Sequence, residues 1–486
     1  MANVVPVFKK GNKAKVENYR PISLTCLVMK VFERVIKEEL LSHTCQYLDE
    51  RQHGFLSNKS CTTNMVNFCD SLALSLNNDK RSDVVYFDFA KAFDSVNHDL
   101  ILQKLKYRYK VDGTLLKFVC NYLQGRAQCV VLGNQSSSTK PVLSGVPQGS
   151  ILGPLLFVLF INDLPEGLSP GTELVLYADD TKIWRLIETE NDHIILQRDI
   201  DYLNNWALAN KMNFHPNKCK VLSIRNSPPP LLNILPDVEF HYFLGTSCLH
   251  YVELETDLGV DMTPKLNWTE QCNRLFSKAN QKLGLMRRNC YFVKDTARAR
   301  SLYIALVRSI FESCSIIWRP TNETLTAKIE RLQKRSIKWM LSEEGISYSP
   351  YEVYVQKCKE VNLLPMSTRF DLNDLLFLHK VIYKLKPVDL PYYMTFYDGQ
   401  SRLRSCHLDH LSLVSSIRPK SNYLATRSSN PLANTFFYHT HSKWNNLPLL
   451  LREIECPLRF KASLKEHFWK NLIVDPDISV VSNGSI

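Results

Sequence analysis

The sequence predicts an α+β fold for its first 225 residues, and three patterns support this prediction. Apolar residues recur at helical spacing between residues 27 and 40, a short apolar strand lies at 83–89, and two strand patterns at 174–177 and 181–184 flank an acidic turn. Such a mixture of helix and strand patterns is typical of α+β domains. The 486 residues, of which 45% are hydrophobic, are enough for roughly three domains and exclude a disordered chain.

The first predicted helix begins behind Pro21 and Ser23. Pairs of apolar residues then recur every three to four positions from Leu27 to Leu40. This spacing predicts an amphipathic helix with its start signals in place.

The first predicted strand contains one residue that does not fit its surroundings. Residues 83–89 are short, β-branched and aromatic, and apolar on both faces, which is typical of a buried strand. Asp88 is the exception.

The next two strands form a predicted hairpin. Residues 174–177 are apolar, Ala178, Asp179 and Asp180 follow, and the strand pattern resumes at residues 181–184. A tight turn between two such runs places Asp179 and Asp180 at the hairpin tip. A helix from about Ile194 to Lys211 comes next, and the prolines of residues 227–230 end the region.

The second half of the chain is predicted to be mostly helical, and its first part is basic. Residues 265–344 contain 16 Lys and Arg against 7 Asp and Glu, so this segment carries +9 of the total formal charge of +12. A polyanionic partner and a solvated helical face account for the surplus equally well. Further helical patterns lie at residues 372–385 and after 444–448, with a Ser-, Arg- and His-rich stretch at 401–430 between them.

Membrane and secretory functions are excluded by the apolar pattern. The longest apolar run, residues 151–161, is about half of the roughly 18 to 20 residues that span a bilayer, and it contains Gly153 and Pro154. At the N-terminus the basic residues follow the apolar ones, which is the wrong order for a secretory signal. The cysteines are scattered singly without a Cys-x-x-Cys pair, which indicates free thiols. We therefore expect an intracellular protein, in the nucleus or cytoplasm, that has no membrane partner.

The sequence predicts a cation-dependent reaction from three carboxylates, Asp88, Asp179 and Asp180. Two carboxylates about 4 Å apart repel each other by roughly 4 kcal/mol at an effective dielectric constant near 20, so a cluster of three must bind cations or hold protons. Mg²⁺ prefers oxygen ligands and is usually shared between carboxylates and substrate phosphates. Two such ions can clamp the attacking and leaving oxygens of a phosphoryl transfer, which is the chemistry of nucleotidyl transfer.

Two motifs contain these carboxylates: Tyr177-Ala178-Asp179-Asp180 between two strands, and the run that starts at Asp88 (DFAKAFDSV). Further characteristic segments lie at residues 18–24, 52–55, 144–157, 213–220, 257–260, 363–369 and 444–448. Together these motifs resemble the reverse transcriptase of non-LTR (LINE-type, jockey-like) retrotransposons.

This resemblance implies a right-hand polymerase of fingers, palm and thumb with an α-helical C-terminal region. Residues 1–225 would form the fingers and palm, 226–345 the end of the palm and a basic helical thumb, and 346–486 the C-terminal helical region. The implied function is an RNA-directed DNA polymerase that extends a primer 3′-hydroxyl with dNTPs on an RNA template. Its cofactor would be two Mg²⁺ ions, with Mn²⁺ as a substitute, and its partners an RNA template, a DNA primer and dNTPs.

The resemblance assigns Asp88 and Asp179 as the metal-binding catalytic carboxylates, with Asp180 completing the cluster. This assignment agrees with the reasoning from the residues alone.

Five further residues are assigned to nucleotide binding. Phe93 matches the aromatic ring under the incoming sugar, although an ordinary core phenylalanine would have the same pattern. Gln148 and Gly149 match the segment that packs against the nascent base pair, with a simple tight turn as the alternative. Lys218 matches a lysine near the triphosphate that protonates the departing pyrophosphate. Arg20 matches a triphosphate ligand, and a cap or salt bridge is its alternative.

Two other functions stay open at this point. An inactive or domesticated copy of such an element would bind RNA without polymerising, and an RNA-dependent RNA polymerase is a weaker third option. Family members commonly carry an endonuclease ahead of the polymerase, and we expect this sequence to lack it.

Overall fold

The structure is a computed structural model that describes residues 2–226, 240–398, 408–418 and 431–474. It divides into two compact units. Unit 1 comprises Met1–Asn64, Arg81–Ser223 and Ser227–Val252, and unit 2 comprises Met65–Lys80, Ile224–Asn226 and Glu253–Ile486. Packing thus yields two units, while the division into three functional parts at residues 225 and 345 stays a prediction.

Unit 1 combines helices with two larger sheets. Its strands are β1 Ala2–Phe8, β2 Tyr19–Leu24, β3 Arg81–Phe87, β4 Ala127–Leu132, β5 Gln135–Ser136, β6 Lys140–Pro141, β7 Thr172–Tyr177, β8 Asp180–Ile187, β9 Lys220–Ile224, β10 Phe243–Leu244, β11 Ser247–Cys248 and β12 His250–Tyr251. Its helices are α1 Leu27–Thr44, α2 Cys61–Asn77, which continues into unit 2, α3 Ala92–Ser95, α4 His98–Gln103, α5 Gly113–Leu123, α6 Gly153–Ile161 and α7 Glu190–Ala209.

The central sheet of unit 1 has the strand order β12-β9-β3-β8-β7. Strand β3 lies in its middle, antiparallel to β8, with Phe87 opposite Thr181. Val84 and Val85 are fully buried, as expected for a strand covered on both faces. A second sheet has the order β2-β1-β4-β5, with β6 also paired to β4. The core packs around the central sheet and the wholly apolar helix α6.

Most predicted elements of this region are confirmed. Helix α1, strand β3, the β7–β8 hairpin and helix α7 all form where the sequence patterns predict them. Helix α7 begins with a capping box, in which Thr189 and Asp192 satisfy each other's free backbone groups. The mixed helix and sheet of unit 1 confirms the α+β class. The predicted break at residues 227–230 lies outside the described residues.

Most of the apolar residues that predict helix α1 are exposed. Leu27, Val28 and Val31 are 78%, 76% and 67% exposed. Glu33, in contrast, is buried, and its carboxylate accepts hydrogen bonds from the backbone N–H groups of residues 151 and 152, at 2.7 and 3.1 Å, just ahead of α6. Periodicity located the helix but did not indicate that a glutamate of this helix is buried while most of its apolar residues are exposed.

Unit 2 is mainly helical, as predicted for the basic segment. Its helices after α2 are α8 Thr269–Asn289, α9 Thr296–Tyr303, α10 Ser309–Glu312, α11 Ser315–Trp318, α12 Glu323–Leu341, α13 Tyr351–Glu360, α14 Met366–Ile382, α15 Phe436–Asn445, α16 Leu449–Arg452 and α17 Pro457–Val474. Its strands are β13 Glu255–Asp257, β14 Val260–Met262, β15 Met394–Phe396 and β16 Leu413–Ser415. The polar stretch predicted at residues 401–430 is described only at 408–418.

The C-terminal part of α2 belongs to unit 2 through specific contacts. Tyr393 donates a hydrogen bond from its hydroxyl to Asp70 at 2.6 Å, and the Asn226 amide donates to the carbonyl of Leu76 at 2.8 Å.

Within the described ranges no helix combines the length and the apolar character needed to cross a bilayer, and the described cysteines are free.

Candidate active site

Asp88 lies directly after the buried strand β3 and is held there by the backbone of a distant segment. The Asp88 carbonyl accepts a hydrogen bond from the N–H of His215 at 2.8 Å. Next to it Phe89 forms a β-bridge with Phe214, and their rings stack with centroids 4.2 Å apart. The strand therefore ends in a fixed conformation that leaves the Asp88 side chain 42% exposed.

The same distant segment brings Lys218 to Asp88. A short 3₁₀ turn, Pro216–Lys218, follows the bridge, and the Lys218 Nζ lies 2.9 Å from Asp88 Oδ1. Both side chains are about half exposed, so solvent screens this ion pair. The structure thus places Lys218, predicted near the triphosphate, in an ion pair with Asp88, a predicted metal-binding carboxylate.

Asp179 lies in the two-residue turn between β7 and β8, and Gln52 fixes the conformation of this turn. Ala178 has a left-handed backbone with φ of +57°, which costs free energy for a residue with a side chain. The buried Gln52 side-chain oxygen accepts hydrogen bonds from the N–H of Ala178 at 2.9 Å and from the N–H of Gly54 at 2.6 Å. A Cβ on Gly54 would lie 2.2 Å from the Ala178 nitrogen, so only glycine permits this close approach.

His53 lies between Gln52 and Gly54 in the sequence and is a neutral structural group. Its Nδ1 lies 2.9 Å from the Thr63 hydroxyl. Burial, together with the charges of Lys59 and Lys182, lowers the pKa of His53 to about 3. It therefore carries no charge at neutral pH and helps to dock residues 52–54.

The positive charges near Asp179 do not offset the effects that raise its pKa. Burial raises the pKa of Asp179, and the nearby Asp88 carboxylate raises it further. Lys9 and Arg20 act in the opposite direction without cancelling these effects. The structure therefore brings Asp88 and Asp179 close enough to repel each other electrostatically.

Asp180 does not complete a cluster with these two residues. It begins strand β8, pairs with Tyr177 across the hairpin and is exposed. Among the described residues no group of three or more His, Cys, Asp or Glu side chains is arranged to hold a metal ion.

Asp88 and Asp179 nevertheless fit a divalent cation. Both offer hard carboxylate oxygens, and the raised pKa of Asp179 is what mutual repulsion and partial dehydration produce when no compensating cation is present. A divalent cation between them would relieve that repulsion.

Gln148 and Gly149 pack against two other segments of unit 1. The Gln148 amide donates a hydrogen bond to Asp94 Oδ1 at 3.2 Å, and its carbonyl accepts one from the Ser23 N–H at 2.7 Å. Burial raises the pKa of Asp94, and the bond from Gln148 opposes that rise. Gly149 has φ of +106°, and a Cβ there would lie 2.8 Å from the Ser23 carbonyl oxygen. The glycine is therefore required by the fold of this turn.

Phe93 belongs to a small cluster of aromatic rings. It lies on the short helix α3 and stacks on the buried Phe157 with centroids 4.5 Å apart. Its other neighbour, Phe55, meets it edge to face at 6.0 Å. Because Phe93 is only partly buried, it both extends the core and presents some surface to solvent.

Sequence reasoning missed two residues of this site. Gln52 was assigned only to a family motif, although it holds the turn that carries Asp179, and its distance of 126 residues from Ala178 gave no local signal. Lys9 follows β1 and acts on Asp179 together with Arg20, which is exposed on β2. An available signal for Lys9 was its position at the end of an apolar strand pattern, next to a second lysine and a glycine.

Comparisons with known proteins agree with the motifs. The family model described as "Reverse transcriptase (RNA-dependent DNA polymerase)" matches residues 8–260. The chain is similar to the "RNA-directed DNA polymerase from mobile element jockey" of Drosophila funebris, with 27% identity over 293 residues. It is also similar to the "Probable RNA-directed DNA polymerase from transposon BS" of Drosophila melanogaster, with 27% identity over 373 residues. These matches confirm the resemblance to jockey-like elements.

The matched stretches cover 55% and 73% of this chain but only 31% and 39% of the two relatives. The chain therefore spans well under half the length of either one. Among solved structures, apo telomerase from Candida Tropicalis aligns with 71% of this chain and 61% of its own chain. That alignment has 10% identity and a TM-score of 0.39, which is too low to support an argument about the fold.

Proposed function

The chain belongs to the reverse transcriptase (RNA-dependent DNA polymerase) family, whose model matches more than half of its residues, and we propose that it polymerises DNA on an RNA template. Its source would be a non-LTR retrotransposon of the jockey type. The substrates would be dNTPs and a primer 3′-hydroxyl, and the reaction would be attack of that hydroxyl on the α-phosphate.

The observation that carries this proposal is the repulsion between two carboxylates that nearby cations compensate only in part. Asp88 and Asp179 are 91 positions apart in the sequence, yet each lies at the end of a strand of one central sheet. The fold brings them close enough for Asp88 to raise the pKa of Asp179, and the charges of Lys9 and Arg20 do not cancel this effect. Such an arrangement costs stability and is expected where a protein binds a cation for function.

We propose Asp88 and Asp179 as the ligands of Mg²⁺, with Asp180 as a further contributor when substrate is present. Two Mg²⁺ ions, when bound, would stabilise the charge that develops on the attacking and leaving oxygens. The contribution of the chain itself is to hold both carboxylates in fixed positions.

The neighbouring residues are proposed to position the nucleotide. Lys218, on Asp88, would hold a proton for the departing pyrophosphate. Arg20 would place positive charge near the triphosphate. Phe93 would support the sugar, and Gln148 with Gly149 would form a rigid surface under the new base pair.

The basic helices of unit 2 are proposed to hold template and primer. Residues 265–344 carry a surplus of nine positive charges, and contacts to phosphates are independent of base sequence and sensitive to salt. The proposed thumb would thus bind an RNA–DNA duplex through contacts to the backbone of the duplex and through the shape of the duplex.

The test is extension of oligo-dT on a poly-A template with Mg²⁺. Asp179→Asn keeps the size of the side chain and removes its charge, so extension should fall at least about 100-fold, a loss of several kcal/mol of transition-state stabilisation. Asp201→Asn, at an exposed position of α7, is the matched control and should retain activity.

Retention of extension by Asp179→Asn would overturn the assignment of the site. If the wild-type chain binds RNA but extends no primer with Mg²⁺ or Mn²⁺, the RNA-binding remnant is the correct function. If Phe93→Ala does not admit ribonucleotides, the proposed position of this ring under the sugar is wrong.

A further inference from the structure

An open pocket of about 540 Å³ lies in unit 2. It is formed by the last turn of α8, the chain that follows it, and the C-terminal end of α12. Its side chains include Arg287, Arg288, Tyr291, Lys294, Trp339 and Glu344. This volume is typical of sites that bind a small molecule or one unit of a polymer.

The pocket carries net positive charge. Arg287 is paired with Glu344, so these two charges balance. Arg288 and Lys294 are exposed, and neither has an ion-pair partner among the described residues. Arginines in the last turn of a helix also stabilise its dipole, but Lys294 lies five residues beyond the end of α8 and has no such role.

Aromatic rings line the same pocket. Tyr291 is 72% exposed, an unusual position for a ring of this size. Trp339 contributes a second, partly buried ring from α12. Aromatic faces beside free cations are the combination that proteins use to bind single-stranded nucleic acid, by stacking on bases and pairing with phosphates.

We propose that this pocket binds an unpaired nucleotide of single-stranded RNA. Tyr291 and Trp339 would stack on the base, while Arg288 and Lys294 would contact the flanking phosphates. The inference rests on the proposed function, since it assumes that the chain acts on RNA, and it adds a site for a strand outside the duplex. An acidic peptide would satisfy the two cations but would gain little from exposed ring faces, so the observations favour RNA.

The experiment measures binding of a fluorescent oligouridylate to the full chain. Tyr291→Ala should weaken binding about 5- to 150-fold, the range that loss of one stacked base produces. The double variant Arg288→Gln with Lys294→Gln should lower the salt dependence of log K by about 0.7 for each phosphate that is no longer neutralised. Neither variant should weaken binding of a blunt RNA–DNA duplex to the same degree.

The controls lie elsewhere on unit 2, outside residues 265–344. Tyr392→Ala removes a ring that is 79% exposed and does not line the pocket, and Lys359→Gln with Lys461→Gln removes two exposed charges. Both controls should bind oligouridylate nearly as well as wild type. Because all these positions are exposed, the variants should fold, which circular dichroism will verify.

Three outcomes would overturn the inference: unchanged oligouridylate binding by the pocket variants, an equal loss for the duplex, or displacement of oligouridylate by poly-glutamate at equal charge concentration. The last outcome would indicate an acidic protein partner. Asp179→Asn should abolish extension without changing oligouridylate binding, so failure of the polymerase proposal is distinguishable from failure of this one.

Discussion

Two groups of charged residues, one in each unit, contain a dehydrated aspartate in opposite electrostatic surroundings. In unit 2, Arg319 lies between Asp371 and Asp374, Lys443 pairs with Asp371, and His439 pairs with Asp374. Burial would raise the pKa of Asp374, but Arg319 and His439 outweigh it, so the pKa of this carboxyl is held well below its usual range.

In unit 1 the pKa of the aspartate is shifted in the opposite direction. The largest effect on Asp179 is again burial, but its close neighbour is a second carboxylate, and the pKa is raised. Both units therefore dehydrate an aspartate, and only unit 2 supplies enough positive charge to compensate. Removing one member of the compensated group should destabilise the fold, whereas the partly compensated pair is suited to binding a cation.

The largest expected effect comes from breaking the compensated group. Asp374→Asn leaves the buried Arg319 with only one carboxylate, so we expect a loss of about 3 to 5 kcal/mol in the free energy of unfolding. Urea denaturation measures it, with the exposed Asp389→Asn as the control. A change below about 1 kcal/mol would mean that the two groups do not differ as described.

The same substitution in unit 1 should have the opposite effect on stability. Asp179→Asn removes the repulsion with Asp88, so the melting temperature measured with a chelator present should rise, while primer extension falls at least about 100-fold. A lower melting temperature would show that the Asp179 charge stabilises the fold.

The rise in melting temperature expected for Asp179→Asn should depend on pH. Because the pKa of Asp179 is raised in the folded protein, ionisation of Asp179 destabilises the fold above that pKa, and the penalty disappears as the pH falls through it. The advantage of Asp179→Asn should therefore be full at neutral pH and vanish in acid. Extension by the wild type should likewise decline on acidification from a higher pH than an ordinary aspartate would give.

A smaller effect is expected from loosening the turn without touching a charge. Gln52→Leu leaves the N–H groups of Gly54 and Ala178 without their acceptor, which should cost about 1 to 3 kcal/mol of stability. If Gln52 positions Asp179, extension should also fall at temperatures where circular dichroism finds the variant fully folded. Gln46→Leu, at an exposed site on the same segment, should leave both properties unchanged.

The smallest effect on stability is expected at Lys218. Its ion pair with Asp88 is half exposed, so Lys218→Met should change the free energy of unfolding by only about 0.2 to 1 kcal/mol. Lys443→Met, which removes a cation from the compensated group, should cost more. If the two variants are equally destabilised, Lys218 compensates Asp88 more strongly than its exposure indicates.

The sequence by itself determined the local elements and the family. The periodicity of α1, the apolar run of β3 and the acidic turn between β7 and β8 all form where predicted. These features depend on interactions over a few residues, which a single sequence records directly. The motifs around Asp88 and Asp179 were likewise sufficient to indicate a reverse transcriptase.

Only the tertiary structure decided which groups meet. The Gln52 contact with Ala178, the influence of Lys9 on Asp179, and the exposed apolar face of α1 arise from packing between segments far apart in the chain. Whether Asp180 joins Asp88 and Asp179 was likewise decided only in three dimensions, since the described residues contain no such group of three metal-binding side chains. Charge interactions depend on distance and burial in three dimensions, and no spacing in the sequence fixes either quantity.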